Sequence, residues 1–171
     1  MALTRCGYHN PYSLTFGPDD HPLGIYLPLW ENRSNELGLD GLFHQKTSNW
    51  LQESPYLKET VTAEEADLIL TGSILGVDFP AASYSKSDTA VTLKARVRVT
   101  YRLTERKTGR VLWTVAKSER TTDYRVAADA VRTQGAKQEA LKTIADEISE
   151  QIYLKIYYTL TRKTQNLSPA P

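Results

Sequence analysis

Between Val91 and Leu103 every second residue is apolar: Val91, Leu93, Ala95, Val97, Val99, Tyr101 and Leu103. Thr92, Lys94, Arg96, Arg98, Thr100 and Arg102 stand between them. A period of two places alternate side chains on opposite faces of a β-strand, so one face is built for burial and the other for water. A helix would scatter the same residues around its circumference. The run therefore commits the chain to a sheet with one apolar face, and that face needs a cover. The turn ERKTGR follows, where Gly109 can supply the positive φ of a hairpin loop. The return strand places Val111, Trp113 and Val115 on one face.

The cover comes from two helical patterns. Leu39, Leu42, Phe43, Trp50 and Leu51 share a face of a helix expected from about Glu36 to Glu53, with Asn35 as its cap and Pro55 as its stop. Ala136, Ala140, Leu141, Ile144, Ala145, Ile148, Ile152 and Ile156 step by three and four residues. They predict a second helix, entered near Asp123 and running to Tyr157 or beyond. Two further strands are expected. Ile25 to Trp30 contains Pro28, which points to a sheet edge or a bulge. Asp67 to Phe79 is apolar on both faces, as a central strand would be. Thr62 and Glu65 suggest a capping box before one helical turn. The expected fold class is α+β, a two-layer sandwich with a mostly antiparallel four-stranded sheet and two amphipathic helices on one face, in the order β-α-β-β-β-α. Residues 1–22 read as an arm, 23–160 as one domain and 161–171 as a disordered tail.

The chain of 171 residues has a net charge of +1, so no global field favours nucleic acid. The charge is unevenly placed, with twelve Lys and Arg against five acids from Lys86 to Arg132. Lys94, Arg96, Arg98 and Arg102 alternate along one strand. They form either a solvated sheet face that discourages aggregation or a face that binds phosphate or carboxylate. Few aromatics interleave with them, which argues against base stacking. Cys6, His9, His21 and His44 do not make the convergent set of about four ligands that structural zinc needs, so no metal or other cofactor is expected. No nucleophile motif or glycine-rich phosphate loop is present, and Glu64, Glu65 and Asp67 read better as a solvated helix start than as paired catalytic acids. The expectation is a protein without catalytic activity. No stretch approaches the roughly 20 apolar residues of a membrane span, and the first residues hold no signal-peptide core of about 7–15 apolar residues.

The motifs CGYH at Cys6–His9, PLWENRS at Pro28–Ser34, EEADLILTGSI at Glu64–Ile74 and TGRVLW at Thr108–Trp113 resemble, in that order, the LptE family. These are lipopolysaccharide-assembly lipoproteins of the Gram-negative outer membrane. The resemblance implies a sheet with two helices on one side and a plug within the LptD β-barrel, which it helps to assemble. It also implies lipopolysaccharide binding, no catalysis, and a periplasmic-face location held by lipid on Cys6. Lipopolysaccharide contact is carried to Lys117 and Arg120 through the W-x-x-x-K-x-x-R run from Trp113 to Arg120, and Arg96 and Arg98 extend it along the alternating strand. Elements of the same layout occur in CsgG-like channel lipoproteins and in the TolB N-terminal domain, so a structural subunit of another envelope complex is the competing expectation.

Overall fold

The computed structural model describes residues 22–84 and 90–165. The order is β1 (Leu23–Tyr26), β2 (Glu31–Asn32), α1 (Leu39–Gln52), β3 (Leu57–Glu59), β4 (Leu68–Asp78), β5 (Ala81–Tyr84), β6 (Ala90–Glu105), β7 (Val111–Arg125) and α2 (Ala130–Gln165). The α+β class is as expected, but the sheet is mixed and has seven strands rather than four mostly antiparallel ones. Its path is β3-β1-β4-β6-β5, with β2 also on β4 and β7 also on β6. The β1, β2 and β3 pairings are parallel; those joining β4, β5, β6 and β7 are antiparallel.

Two prolines explain much of the difference in strand number. The line that begins at β1 is interrupted at Leu27–Trp30 and resumes as β2 along the same neighbour, β4. Pro28, which lacks an amide donor, falls in that gap, past the stretch of β1 that β3 flanks and before β2, whose one partner among the described residues is β4. Pro80 separates β4 from β5 in the same way, while its carbonyl still accepts the Lys94 amide at 2.9 Å. The apolar residues of β6 behave as the alternation requires: Ala95, Val97, Val99 and Leu103 are fully buried.

The helices run parallel across the inner face. Their contacts climb in step: Glu36 with Lys137, Lys46 with Asp146, Thr47 with Ser149, Trp50 with Tyr153 and Tyr56 with Tyr157. Phe43, Leu51, Ile144, Ile148, Ile152 and Ile156 fill the space between helices and sheet. Trp30 packs on Phe43, ring centroids 5.0 Å apart. It also lies flat against Gly72, where a Cβ would come within 2.5 Å of the indole. Only glycine leaves that room on β4.

Several local expectations change. α1 begins after Gly38, which has φ 79°, and not at Asn35. The organiser of the entry is Asn32, whose Oδ1 accepts the Ser34 amide and whose Nδ2 donates to the Glu36 carbonyl. Thr62–Ala66 makes turns instead of a helical turn. Asp123 stays in β7, paired with Lys94, and Asp129 caps α2 by accepting the Val131 amide at 2.9 Å. α2 continues through residues assigned to the tail, as far as Gln165.

Candidate functional site

The outer face of the sheet has no helix over it among the described residues, and the basic residues of β6 lie there. They meet acids from both neighbouring strands. Asp78 stands between two arginines, with Oδ1 3.6 Å from Arg96 Nη1 and Oδ2 3.3 Å from Arg98 Nη2. Glu119 Oε1 is 3.8 Å from Arg96 Nε, and Lys94 Nζ is 2.6 Å from Asp123 Oδ1. A bulge puts Asp78 in place. Leu68, Leu70, Gly72 and Ile74 face inward, so uninterrupted alternation would turn Asp78 inward as well. The register shifts between Ile74 and Gly76, with Leu75 as the extra residue, and Asp78 comes opposite Arg96. These pairs are about one-third exposed, so each contributes at most about 1 kcal/mol. Their larger effect is to neutralise the stripe. Arg102 is exposed and forms no ion pair among the described residues.

A second bulge decides which face each of the other two candidates takes; three residues apart on one strand, they fall on opposite faces. The β6–β7 register shifts between Val99 and Tyr101, leaving Ala116 and Lys117 together opposite outward-facing Thr100. Lys117 is therefore exposed on the outer face, without an ion-pair partner among the described residues. Beyond the bulge, Ser118 pairs with Val99 and Arg120 with Val97, both inward positions. Arg120 is thus half-buried on the helix side, close to Tyr101. Lys117, Arg96 and Arg98 share a face, and Arg120 lies on the other. Cys6, with His9 and His21, lies outside the described residues. Among the described residues no three His, Cys, Asp or Glu side chains gather as a metal site. Asp67 works in the backbone: its Oδ2 accepts the Gly24 amide at 3.0 Å.

The inner face carries a feature that residue patterns did not single out. Between β6, β7 and the C-terminal half of α2 lies an open groove of about 630 Å³. Tyr101 and Trp113 meet edge to face at 5.9 Å, and Lys155 Nζ sits 5.4 Å from the Trp113 ring centroid. Leu154 and Tyr158 form the α2 rim. Among the described residues the buried Trp113 Nε1 has no hydrogen-bond partner. Burial pushes the Tyr101 phenol upward from its ordinary pKa, and the Ser118 hydrogen bond and the Arg120 charge oppose that. Three rings, a leucine and an ammonium suit the groove to binding an apolar or aromatic group. The only sequence signal was that Leu154, Lys155 and Tyr158 lie off the isoleucine stripe.

The family model for LptE, lipopolysaccharide-assembly, matches residues 24–156. The chain belongs to the LptE family. The matched residues run from β1 through most of α2. The chain is similar to the rare lipoprotein B of Shewanella oneidensis, with 12% identity over 82% of this chain and 98% of that one and a TM-score of 0.57. It is similar to an uncharacterized lipoprotein B of Nitrosomonas europaea, with 16% identity over 88% and 92% of the two chains and a TM-score of 0.55. It is also similar to PelC of Paraburkholderia phytofirmans, solved as a dodecamer, with 15% identity over 82% and 89% and a TM-score of 0.51. At these identities the likeness is one of fold. A search of curated proteins returns no match. Among the described residues no helix of this LptE family member is long and apolar enough to cross a membrane.

Proposed function

We propose that this protein is an outer-membrane lipoprotein, anchored at the periplasmic face by lipid on Cys6, that plugs an LptD-type β-barrel, helps it assemble and binds lipopolysaccharide on its way to the cell surface. It does so without catalysis or a cofactor. The observation that carries the reading is the family match over residues 24–156. The lipid anchor is physically sufficient, because each buried methylene contributes about 0.8 kcal/mol and several acyl chains hold a domain at a bilayer. The decisive experiment is a pull-down of the tagged protein from detergent-solubilised outer membrane. The expected outcome is one large barrel in near-equal amount; the absence of any barrel would overturn the reading.

Lipopolysaccharide carries phosphates and carboxylates, which unpaired cations attract. Lys117 supplies such a cation on the outer face, and Arg120 supplies a second near the groove. Arg96 and Arg98 are engaged with Asp78 and contribute less. The double substitution Lys117→Glu, Arg120→Glu is expected to weaken lipopolysaccharide binding about tenfold or more, roughly 1.4 kcal/mol, with the fold intact. Unchanged affinity in a folded double variant would remove both residues from the site.

A second reading has one observation in its favour, the fold shared with dodecameric PelC. In it the domain is a repeating subunit of another envelope complex. Mass measurement of the purified protein distinguishes the two, since a ring assembles from the chain alone and a plug stays monomeric until it meets its barrel.

A further inference from the structure

We propose that the groove between β6, β7 and the C-terminal half of α2 binds a single acyl chain with a carboxylate head. The proposal does not depend on lipopolysaccharide binding, whose cation Lys117 lies on the other face of the sheet. Its first support is charge. Gln151 and Lys155 stand about one helical turn apart on α2 and line the groove together. Among the described residues neither the Gln151 side-chain amide nor the Lys155 ammonium has an acceptor; the ammonium meets only the face of Trp113, 5.4 Å from the ring centroid. The buried Trp113 Nε1 is a further donor without a partner among the described residues. Arg120, close to Tyr101, adds a second positive charge on the same side of the sheet. Among the described residues no carboxylate lines the groove, and Glu147 and Glu150 lie more than a turn before Lys155 on α2. Donors without acceptors and cations without acids are the complement of an anionic group that accepts hydrogen bonds.

The second support is shape. The lining runs along α2 from Gln151 to Thr159, about 12 Å of helix. The volume of about 630 Å³ falls within the roughly 300–1,000 Å³ usual for small-molecule sites. A single ring would occupy one part of that length, whereas an acyl chain follows it. The apolar walls run the same way. Leu154 and Tyr158, also about one turn apart, remain 39% and 60% exposed on the α2 side, and the Tyr101 and Trp113 rings stand across from them. Covering those side chains with methylenes removes apolar surface from water, which is favourable. Gln151 and Lys155 thus make a head subsite beside a tail subsite made by Leu154 and Tyr158, on adjacent lines of one helix. Among the described residues the groove is open along its length, so a chain enters sideways rather than by threading.

The test is tryptophan fluorescence of the isolated full chain, without any barrel, titrated with dodecanoate brominated at mid-chain and kept below its micelle concentration. Bromine quenches an indole that it touches, and Trp113 lies in the groove wall while Trp30 and Trp50 lie elsewhere. The expected result is saturable quenching that persists in Trp50→Phe and disappears in Trp113→Phe. Lys155→Glu and Leu154→Asp change exposed side chains, so the fold should hold, as a denaturant titration checks. Each should weaken binding about tenfold or more, the first at the head and the second at the tail. The alcohol brominated at the same carbon should also bind about tenfold more weakly, because it lacks the charge. Quenching that survives Trp113→Phe would place the chain elsewhere and overturn the proposal. Equal binding of the alcohol would remove the carboxylate, and equal binding of para-bromobenzoate would remove the chain; either overturns it. No saturable quenching, as when the chain's own arm or a second copy fills the groove, overturns it as well. Because no barrel or lipopolysaccharide is present, failure here leaves the plug reading standing, and failure of the pull-down leaves this one standing.

Discussion

The two faces of the sheet are made from the same strands and do opposite work. Inward, β6 presents Ala95, Val97, Val99 and Leu103 to two helices and is sealed. Outward, it presents Lys94, Arg96 and Arg98 to acids on β4 and β7. The inner face holds the molecule together by excluded water and close fit, the outer face by charge balance at the water boundary. Burying an apolar side chain stabilises by roughly 1.5–3 kcal/mol, whereas an exposed ion pair contributes about 0–1 kcal/mol. A basic outer stripe is therefore not in itself an anion site. Among the described residues the neighbouring strands leave Arg102 and Lys117 without an acid.

That contrast can be broken by substitution. The largest loss is expected from Phe43→Ala, which empties the space under Trp30 and should cost about 3–5 kcal/mol in a denaturant titration. Gly72→Ala should cost about 1–3 kcal/mol, because the indole of buried Trp30 has little room to retreat. Thr47→Val removes the buried hydroxyl contact with Ser149 Oγ at 3.1 Å and leaves that hydroxyl to find another acceptor, at a cost of about 1 kcal/mol. Asp78→Asn sits at the other extreme. It should cost less than about 1 kcal/mol, yet free Arg96 and Arg98 and raise the salt-sensitive retention of the protein on an anionic resin. Equal losses for Phe43→Ala and Asp78→Asn would erase the distinction between the faces.

The strand and helix patterns were legible because they are periodic over many residues. The long run in β6 and the isoleucine stripe of α2 could be read without a partner. What was not legible depended on phase changes. β4 read as apolar on both faces because Leu75 is an inserted residue, and a single register slip exchanges the faces of everything after it. The same device in β7 turns Lys117 to the outer face; Arg120, three residues on along the strand, falls on the other, although the resemblance had placed both in one site. The pairing of Asp78 with Arg96 and Arg98 was invisible for a related reason: local charge counts do not know which strands are neighbours. The groove was hidden because its walls come from two strands and the far half of a helix.

The parallel course of α1 and α2 has an electrical consequence. Antiparallel helix pairs cancel their peptide dipoles, and parallel pairs add them, each contributing roughly half a positive charge at its N-terminal end and half a negative charge at the other. Glu36, just before α1, pairs at 2.7 Å with Lys137, two turns into α2, so the two N-terminal ends point the same way. A chain of net charge +1 thereby acquires a long axis with an electrical direction.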